Sequence, residues 1–354
     1  MVGVAPSPQR NARTQRHAAG VAKRGFTRSA GLLVAASLLA ATCVASILIG
    51  NHPLSLEEAV RAFTDFQGSD TDRVVRYIRL PRTLAGLLAG IALGLAGAVM
   101  QGLTRNPLAG PGILGINAGA AFAVVIALSA LGVTALTGYI WFAFLGAAVA
   151  AVFVYFLGSL GYGGTTPVKL ALAGAAFAAL VGSLTTAITL LNRGTFDDYR
   201  FWVVGSLTRA DLASISAVAP FMLAGALLAF AVARTLNSIA LGDDMARTLG
   251  SRLILVRVCG ALSVVLLAGA ATAIAGPIGF IGLVVPHIAR ALSGPDYRWI
   301  LAWGVVLAPT VLLIADIAGR IAVAPQEVQV GIVTALVGAP FFLYLVRNRK
   351  VAKL

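Results

Sequence analysis

Arg79 to Ala120 reads RLPRTLAGLLAGIALGLAGAVMQGLTRNPLAGPGILGINAGA. Two arginines bracket a proline, and about twenty uncharged residues follow, enough to cross the hydrocarbon core of a bilayer as a helix. The run breaks at Arg105-Asn106-Pro107 and turns apolar again through Gly110-Pro111-Gly112. Asn106 followed by Pro107 predicts a helix N-cap with proline at the first helical position. Gly110, Pro111 and Gly112 then interrupt that helix. Irregular backbone at membrane depth survives only where protein buries it or a cavity faces it. Gly86, Gly90 and Gly94, with Gly97 following, put small residues along one helix face, which lets helices approach closely in lipid.

The rest of the chain has the same character. Its 354 residues are 59% hydrophobic and 11% charged, against about 25% charged in soluble domains. The sequence therefore predicts an all-α polytopic membrane protein. Apolar spans fall near 30–50, 83–103, 110–131, 138–158, 168–191, 213–233, 257–275, 278–293, 299–318 and 329–346. They form one bundle of about ten transmembrane helices, a single membrane domain over 30–347. A basic cytoplasmic tail, expected to be disordered, precedes it over 1–29, and a short cytoplasmic tail follows over 348–354.

The net charge of +14 maps onto this topology. With the N-terminus inside, 18 Lys and Arg fall on inner segments and 9 on outer ones, while acids divide 3 to 10. That is the positive-inside bias. The basic excess suits the anionic lipid of the inner leaflet, and both termini are expected in the cytoplasm. A nucleic-acid partner is excluded, because no aromatic-interleaved basic groove exists. Cys43 and Cys259 lie inside spans with no metal-like or disulfide spacing.

Four further segments stand out. Ser55-Leu56-Glu57-Glu58 predicts a capped surface helix from Leu56 to Phe66. Arg193 to Asp211 is an outer loop rich in interfacial aromatics. In the long inner loop 234–257, Asp243 and Asp244 followed by Arg247 suit a short helix dipole, with Gly250 at its C′ position. Gly276-Pro277-Ile278-Gly279 breaks a second helix as Gly110-Pro111-Gly112 breaks the first. Leu88–Gly97 and Leu267–Gly276 share six of ten residues, which fits inverted repeats as well as it fits chance among Ala/Gly-rich runs. Asp316 and Arg320 are spaced for an intrahelical ion pair. No G-x-x-x-x-G-K-[ST] loop is present to cradle a nucleotide, and no catalytic or metal-binding cluster supports an enzyme.

Several motifs resemble those of the FecCD-type permeases, the membrane subunits of bacterial ABC importers for iron–siderophore complexes, haem and vitamin B12. They are Arg79/Pro81-Arg82, Gly97-Ala98/Met100-Gln101, Asn106 to Ala109 with Pro111 and Leu114-Gly115, Phe201-Trp202 with Gly205-Ser206-Leu207, Gly276 through Arg290, and Thr334-Ala335 with Gly338 to Phe342. Gln329 departs from the family's usual proline. Ala246-x-x-x-Gly250 resembles the A-x-x-x-G core of the loop by which such permeases touch their ATPases. That assigns Asp243, Asp244, Ala246, Arg247 and Gly250 to ATPase coupling.

The resemblance also implies that Arg79, Arg82 and Arg320 face glutamates on a two-lobed extracytoplasmic binding protein. The helix breaks at Asn106, Pro107, Gly110, Pro111, Gly112, Gly276, Pro277 and Gly279 then border a pathway. A second permease copy or paralogue and two cytoplasmic ATPases complete the implied assembly. The chain itself binds no cofactor, and ATP with magnesium belongs to the partner. The expected function is inward transport of an iron(III)–siderophore across the bacterial cytoplasmic membrane by alternating access. The alternatives are haem or cobalamin as cargo, or a stand-alone ion-coupled carrier. The last would need ionisable groups within the spans, and the chain has almost none.

Overall fold

The computed structural model describes residues 8–133, 135–160, 166–248, 250 and 252–347. Among them the chain is helical, with one isolated bridge between Val323 and Gln326. The helices are α1 (Pro8–Leu48), α2 (Leu56–Thr64), α3 (Asp70–Arg73), α4 (Leu80–Thr104), α5 (Ile116–Ala130), α6 (Leu136–Ser159) and α7 (Pro167–Leu191). They continue as α8 (Arg193–Val203), α9 (Leu212–Ala240), α10 (Asp243–Thr248), α11 (Leu253–Ala275), α12 (Ile281–Ser293), α13 (Tyr297–Ala322) and α14 (Val330–Arg347). A π-helical turn, Val74–Arg79, joins α3 to α4. The basic N-terminal segment, expected as a disordered tail, continues the first helix from Pro8 onward. The tail at 348–354 lies outside the described residues, as do residues 1–7 and Leu249.

Seven described helices are long and apolar enough to cross a membrane, and three more are apolar but shorter: Ile116–Ala130, Ile281–Ser293 and Val330–Leu345. Together they are the ten predicted spans. Each short helix follows an irregular stretch, so its missing turn is taken up by non-helical backbone at the entry. The predicted N-cap at Asn106 is one such place, and it is corrected by the structure. Its Oδ1 accepts from Leu108 N at 3.0 Å and its carbonyl from Ala109 N at 3.0 Å. Asn106-Pro107 is thus an Asx-type turn. A 3₁₀ turn at Pro111–Leu114 follows, and α5 begins only after Gly115 in the left-handed region.

The centre of the bundle is α4, which packs on α9, α11, α12 and α13. Its glycines explain how. Gly90 lies against the Pro309 backbone and Gly94 against Ala308 and Gly304. At Gly97 a Cβ would run into the Gly282 carbonyl, so α4 and α12 touch backbone to backbone. The two matching Ala/Gly-rich runs lie on α4 and α11, which are packed neighbours. By contrast α6 and α7 expose Val149, Val152, Phe156, Leu172, Leu180 and Leu184, apolar surface that lipid or another chain must cover.

At the end of α11 three stretches of backbone interleave. Gly276 ends the helix at φ +69, where L side chains are strained, and a Cβ there would meet the Trp202 carbonyl. Ser206 N donates to Ala275 O at 2.8 Å, and Gly331 N donates to Gly205 O at 3.0 Å. The Gly205-Ser206-Leu207 motif, the second helix break and the start of α14 therefore fix one another. Ser55 opens α2 with the predicted cap: its hydroxyl accepts from Glu58 N and the Glu58 carboxylate accepts from Ser55 N. These bonds hold the Glu58 carboxyl below its ordinary pKa.

Candidate functional site

Arg79 and Arg82 are one turn apart at the start of the α4 span, and Arg320 is in the last turn of α13. The structure brings all three to one cleft, two of them onto Asp316. Arg82 is forked on that carboxylate, Nε at 3.0 Å and Nη2 at 2.9 Å, and its Nη1 reaches Glu327 Oε2 at 2.7 Å. Arg320 Nε donates to Asp316 Oδ2 at 3.0 Å. The rest of the cluster serves α1. Arg320 Nη1 donates to Ser46 O at 2.6 Å, and Arg79 Nη1 donates to Ile47 O at 2.7 Å and Leu48 O at 2.8 Å. The last carbonyls of a helix have no intrahelical partner and carry partial negative charge. Two arginines from other spans cap them here, so the cluster ties α1 to α4 and α13.

Burial is the unexpected part. Arg79 and Arg82 are each 6% exposed, Arg320 is 2% and Asp316 is 1%. The Asp316–Arg320 spacing is thus one edge of a buried charge network. The arginines nonetheless line a cleft of about 310 Å³, together with Asn51, His52 and Glu327. Around it three guanidiniums meet the two carboxylates Asp316 and Glu327, and Arg79 has carbonyl partners rather than a carboxylate. Asp70 also lines the cleft, so its three arginines and the three carboxylates around them balance in formal charge.

The second candidate is α10 and the turn after it. Ala246 is buried, and Gly250 has φ +76 with nothing within 4 Å of a Cβ placed on it. Gly250 thus takes the left-handed position predicted for it and borders open space. Asp243, which begins the helix, points back into the chain. One carboxylate oxygen pairs with Arg105 Nη2 at 2.5 Å and the other with Arg257 Nη2 at 2.7 Å. Arg105 is the left-handed residue that ends α4, and Arg257 is in the first turns of α11. Asp244 faces outward, 98% exposed at its side chain, and among the described residues pairs with Arg247 one turn on. Neither Arg105 nor Arg257 was singled out as a partner of Asp243. No sequence pattern links positions 138 residues apart.

Asp296 caps α13 and holds Asn237 in the last turns of α9, Asn237 Nδ2 donating at 2.8 Å. Bonds from Arg298, and then from Asn237, keep the Asp296 carboxyl at about 2. His287 lies edge-on to Phe341, and Arg290 donates to Gln101 Oε1 at 3.3 Å. The two helix breaks approach the same stretch of α4: Gly282, just past the second, contacts Gly97 and adjoins Pro111. A Cβ on Gly110 or Gly279 meets nothing within 4 Å. Among the described residues no group of three or more His, Cys, Asp or Glu is placed to hold a metal ion.

A profile of the FecCD transport family matches residues 38–348. The chain is 48% identical over 320 residues to the ferric enterobactin transport system permease protein FepD of Escherichia coli, covering 90% of this chain and 94% of that one. It is 43% identical over 311 residues to the probable siderophore transport system permease protein YfiZ of Bacillus subtilis, covering 88% and 93%. Relatives named for hemin and cobalamin transport also match. Among solved structures, an inward-facing metal-chelate type ABC transporter superposes with a TM-score of 0.78 at 27% identity, over 90% of this chain and 98% of that one. The chain is a membrane permease of the FecCD transport family.

Proposed function

We propose that this permease carries an iron(III)–siderophore complex inward across a bacterial cytoplasmic membrane. The observation that carries the choice of cargo is the 48% identity, over nearly the whole of both chains, to a permease named for ferric enterobactin. The chain supplies a path and no chemistry. ATP and magnesium act on a separate pair of cytoplasmic ATPase subunits, and a second permease, identical or paralogous, forms the other wall. Both termini and α10 face the cytoplasm, while α2 and α8 face outward.

In this reading the outer cleft receives a carboxylate from an extracytoplasmic binding protein. Arg79, Arg82 and Arg320 supply the attraction, and the forked geometry of arginine gives it direction. The exposed side of α10, with Asp244, Arg247 and Gly250, meets the ATPase. The open glycines Gly110 and Gly279 border the path, because irregular backbone in lipid needs a cavity or a neighbour beside it. Closure of the ATPases moves α10, and Asp243 carries that movement to the ends of α4 and α11.

The test is uptake of radio-iron in a strain lacking the gene, complemented with it and with candidate binding proteins. Ferric siderophore uptake should disappear on deletion and return with the gene, while haem- and cobalamin-dependent growth stays intact. Loss of haem- or cobalamin-dependent growth with normal siderophore uptake would assign the other cargo.

A further inference from the structure

The outer cleft already contains a movable carboxylate. Glu327 lies between α13 and α14, outside any helix, and its side chain is 27% exposed. Arg82 uses Nε and Nη2 on Asp316, and its remaining nitrogen, Nη1, meets Glu327 Oε2 at 2.7 Å. The two acids differ in how they are held. Asp316 is 1% exposed, sits inside α13 and also binds Arg320. Glu327 has only the Arg82 contact among its described ion pairs. It is a long side chain on a connecting segment, so rotation about its own bonds moves it off Arg82 without moving a helix. Asp316 cannot leave without opening the bundle.

The geometry points to Glu327 as a resident occupant of the cleft, holding Arg82 until a carboxylate of an extracytoplasmic protein takes its place. The inference rests on the docking reading above and adds a sign to it. If the arginines alone set affinity, removing an acid beside them does nothing specific. If Glu327 competes for Arg82, removing its charge strengthens docking. With Glu327 neutral, the formal charge of the cleft, counting Asp70 on its wall, rises from zero to plus one. A cleft of about 310 Å³ has room for a carboxylate side chain and not for a folded element, so the competitor must be a side chain of the same chemistry as Glu327. The resident acid also keeps the cleft from holding other anions while no partner is bound.

Glu327→Gln keeps the size and one acceptor oxygen, and it is tested in the transporter with its ATPases in nanodiscs. The first measurement needs no partner. Arg82 should be modified faster by phenylglyoxal in Glu327→Gln than in the wild type, as read by peptide mass spectrometry. The second uses the binding protein that supports uptake in the assay above. Its affinity should rise about three- to tenfold at low salt, the scale of one partly exposed charge. Glu327→Asp keeps the charge on a shorter arm and should lie between the two. Unchanged Arg82 labelling overturns the inference. So does unchanged or weaker docking in Glu327→Gln while Arg79→Gln and Arg82→Gln weaken it, and in that case the docking reading stands. Normal docking in both arginine variants removes the docking reading itself, and the inference falls with it.

Discussion

One carboxylate shared by two arginines occurs twice in this permease, at opposite ends of α4, and the two instances have opposite surroundings. Asp316 binds Arg82 and Arg320 in a site where no member is more than 7% exposed at its side chain. Asp243 binds Arg105 and Arg257 with side chains 27%, 43% and 33% exposed. Charge and ligand number are alike, so the difference in behaviour comes from solvent. A buried pair broken on one side leaves a charge with nowhere to go, while water heals an exposed one. The Asp316 cluster is therefore a fastener and the Asp243 clasp an adjustable joint, as the coupling role proposed for α10 requires.

The largest effect should come from Asp316→Asn. It leaves Arg320 and Arg82 without the carboxylate that both share, and breaking a buried pair costs about 3–5 kcal/mol. Folded yield in detergent should collapse, and the remaining protein should melt well below the wild type in a size-exclusion thermal scan. A melting point equal to the wild type would show that capping of the α1 carbonyls by Arg79 and Arg320 suffices alone, and the contrast between the two ends would lose its outer half.

A smaller effect is expected inside. Asp243→Asn should change stability by about 1 kcal/mol or less, as exposed pairs do, and the protein should insert and purify normally. Its signature is functional: substrate moved per ATP hydrolysed should fall while basal hydrolysis persists. Salt sharpens the comparison. Raising it from 0.1 to 1 M shortens the screening length from about 10 to about 3 Å. The double-mutant coupling of Arg105 with Asp243 should fade over that range, and that of Arg82 with Asp316 should hold. Equal salt sensitivity of the two couplings would mean that burial does not separate them.

The legible and illegible parts of the molecule divide along the same line. Spans were readable because apolar runs and glycine spacing are local facts, and Gly86 to Gly97 pack where their spacing placed them. The capping box at Ser55 and the left-handed Gly250 were local too. Asn106-Pro107 misled because a turn and a helix start use the same residues, and the choice was made by Arg105 turning left-handed at the end of α4. The family resemblance pointed to the three arginines, but not to their burial. It depends on Ser46, Ile47 and Leu48, about thirty residues upstream of Arg79 and far from Arg320, offering carbonyls at the end of α1. Arg105 stood out only as part of a helix break and Glu327 only as the start of a motif, and Arg257 not at all, since their partners come from distant helices.

The smallest effect separates neighbours on one helix. Asp243 and Asp244 are adjacent acids at the start of α10, and sequence alone gave them one role. The structure turns Asp243 inward onto two arginines and leaves Asp244 98% exposed beside Arg247. A surface pair one turn apart stabilises a helix by about 0.2–0.5 kcal/mol. Asp244→Asn should therefore leave the melting point within error and leave transport per ATP unchanged in any complex that forms. Its charge is exposed to a partner, so the measurable change is in ATPase association: a lower affinity at low salt that disappears at high salt, where screening removes the wild-type advantage. Asp243→Asn should show the reverse pattern, normal association with poor coupling. If Asp244→Asn uncouples and Asp243→Asn only dissociates, the inward and outward sides of α10 have been assigned the wrong way round.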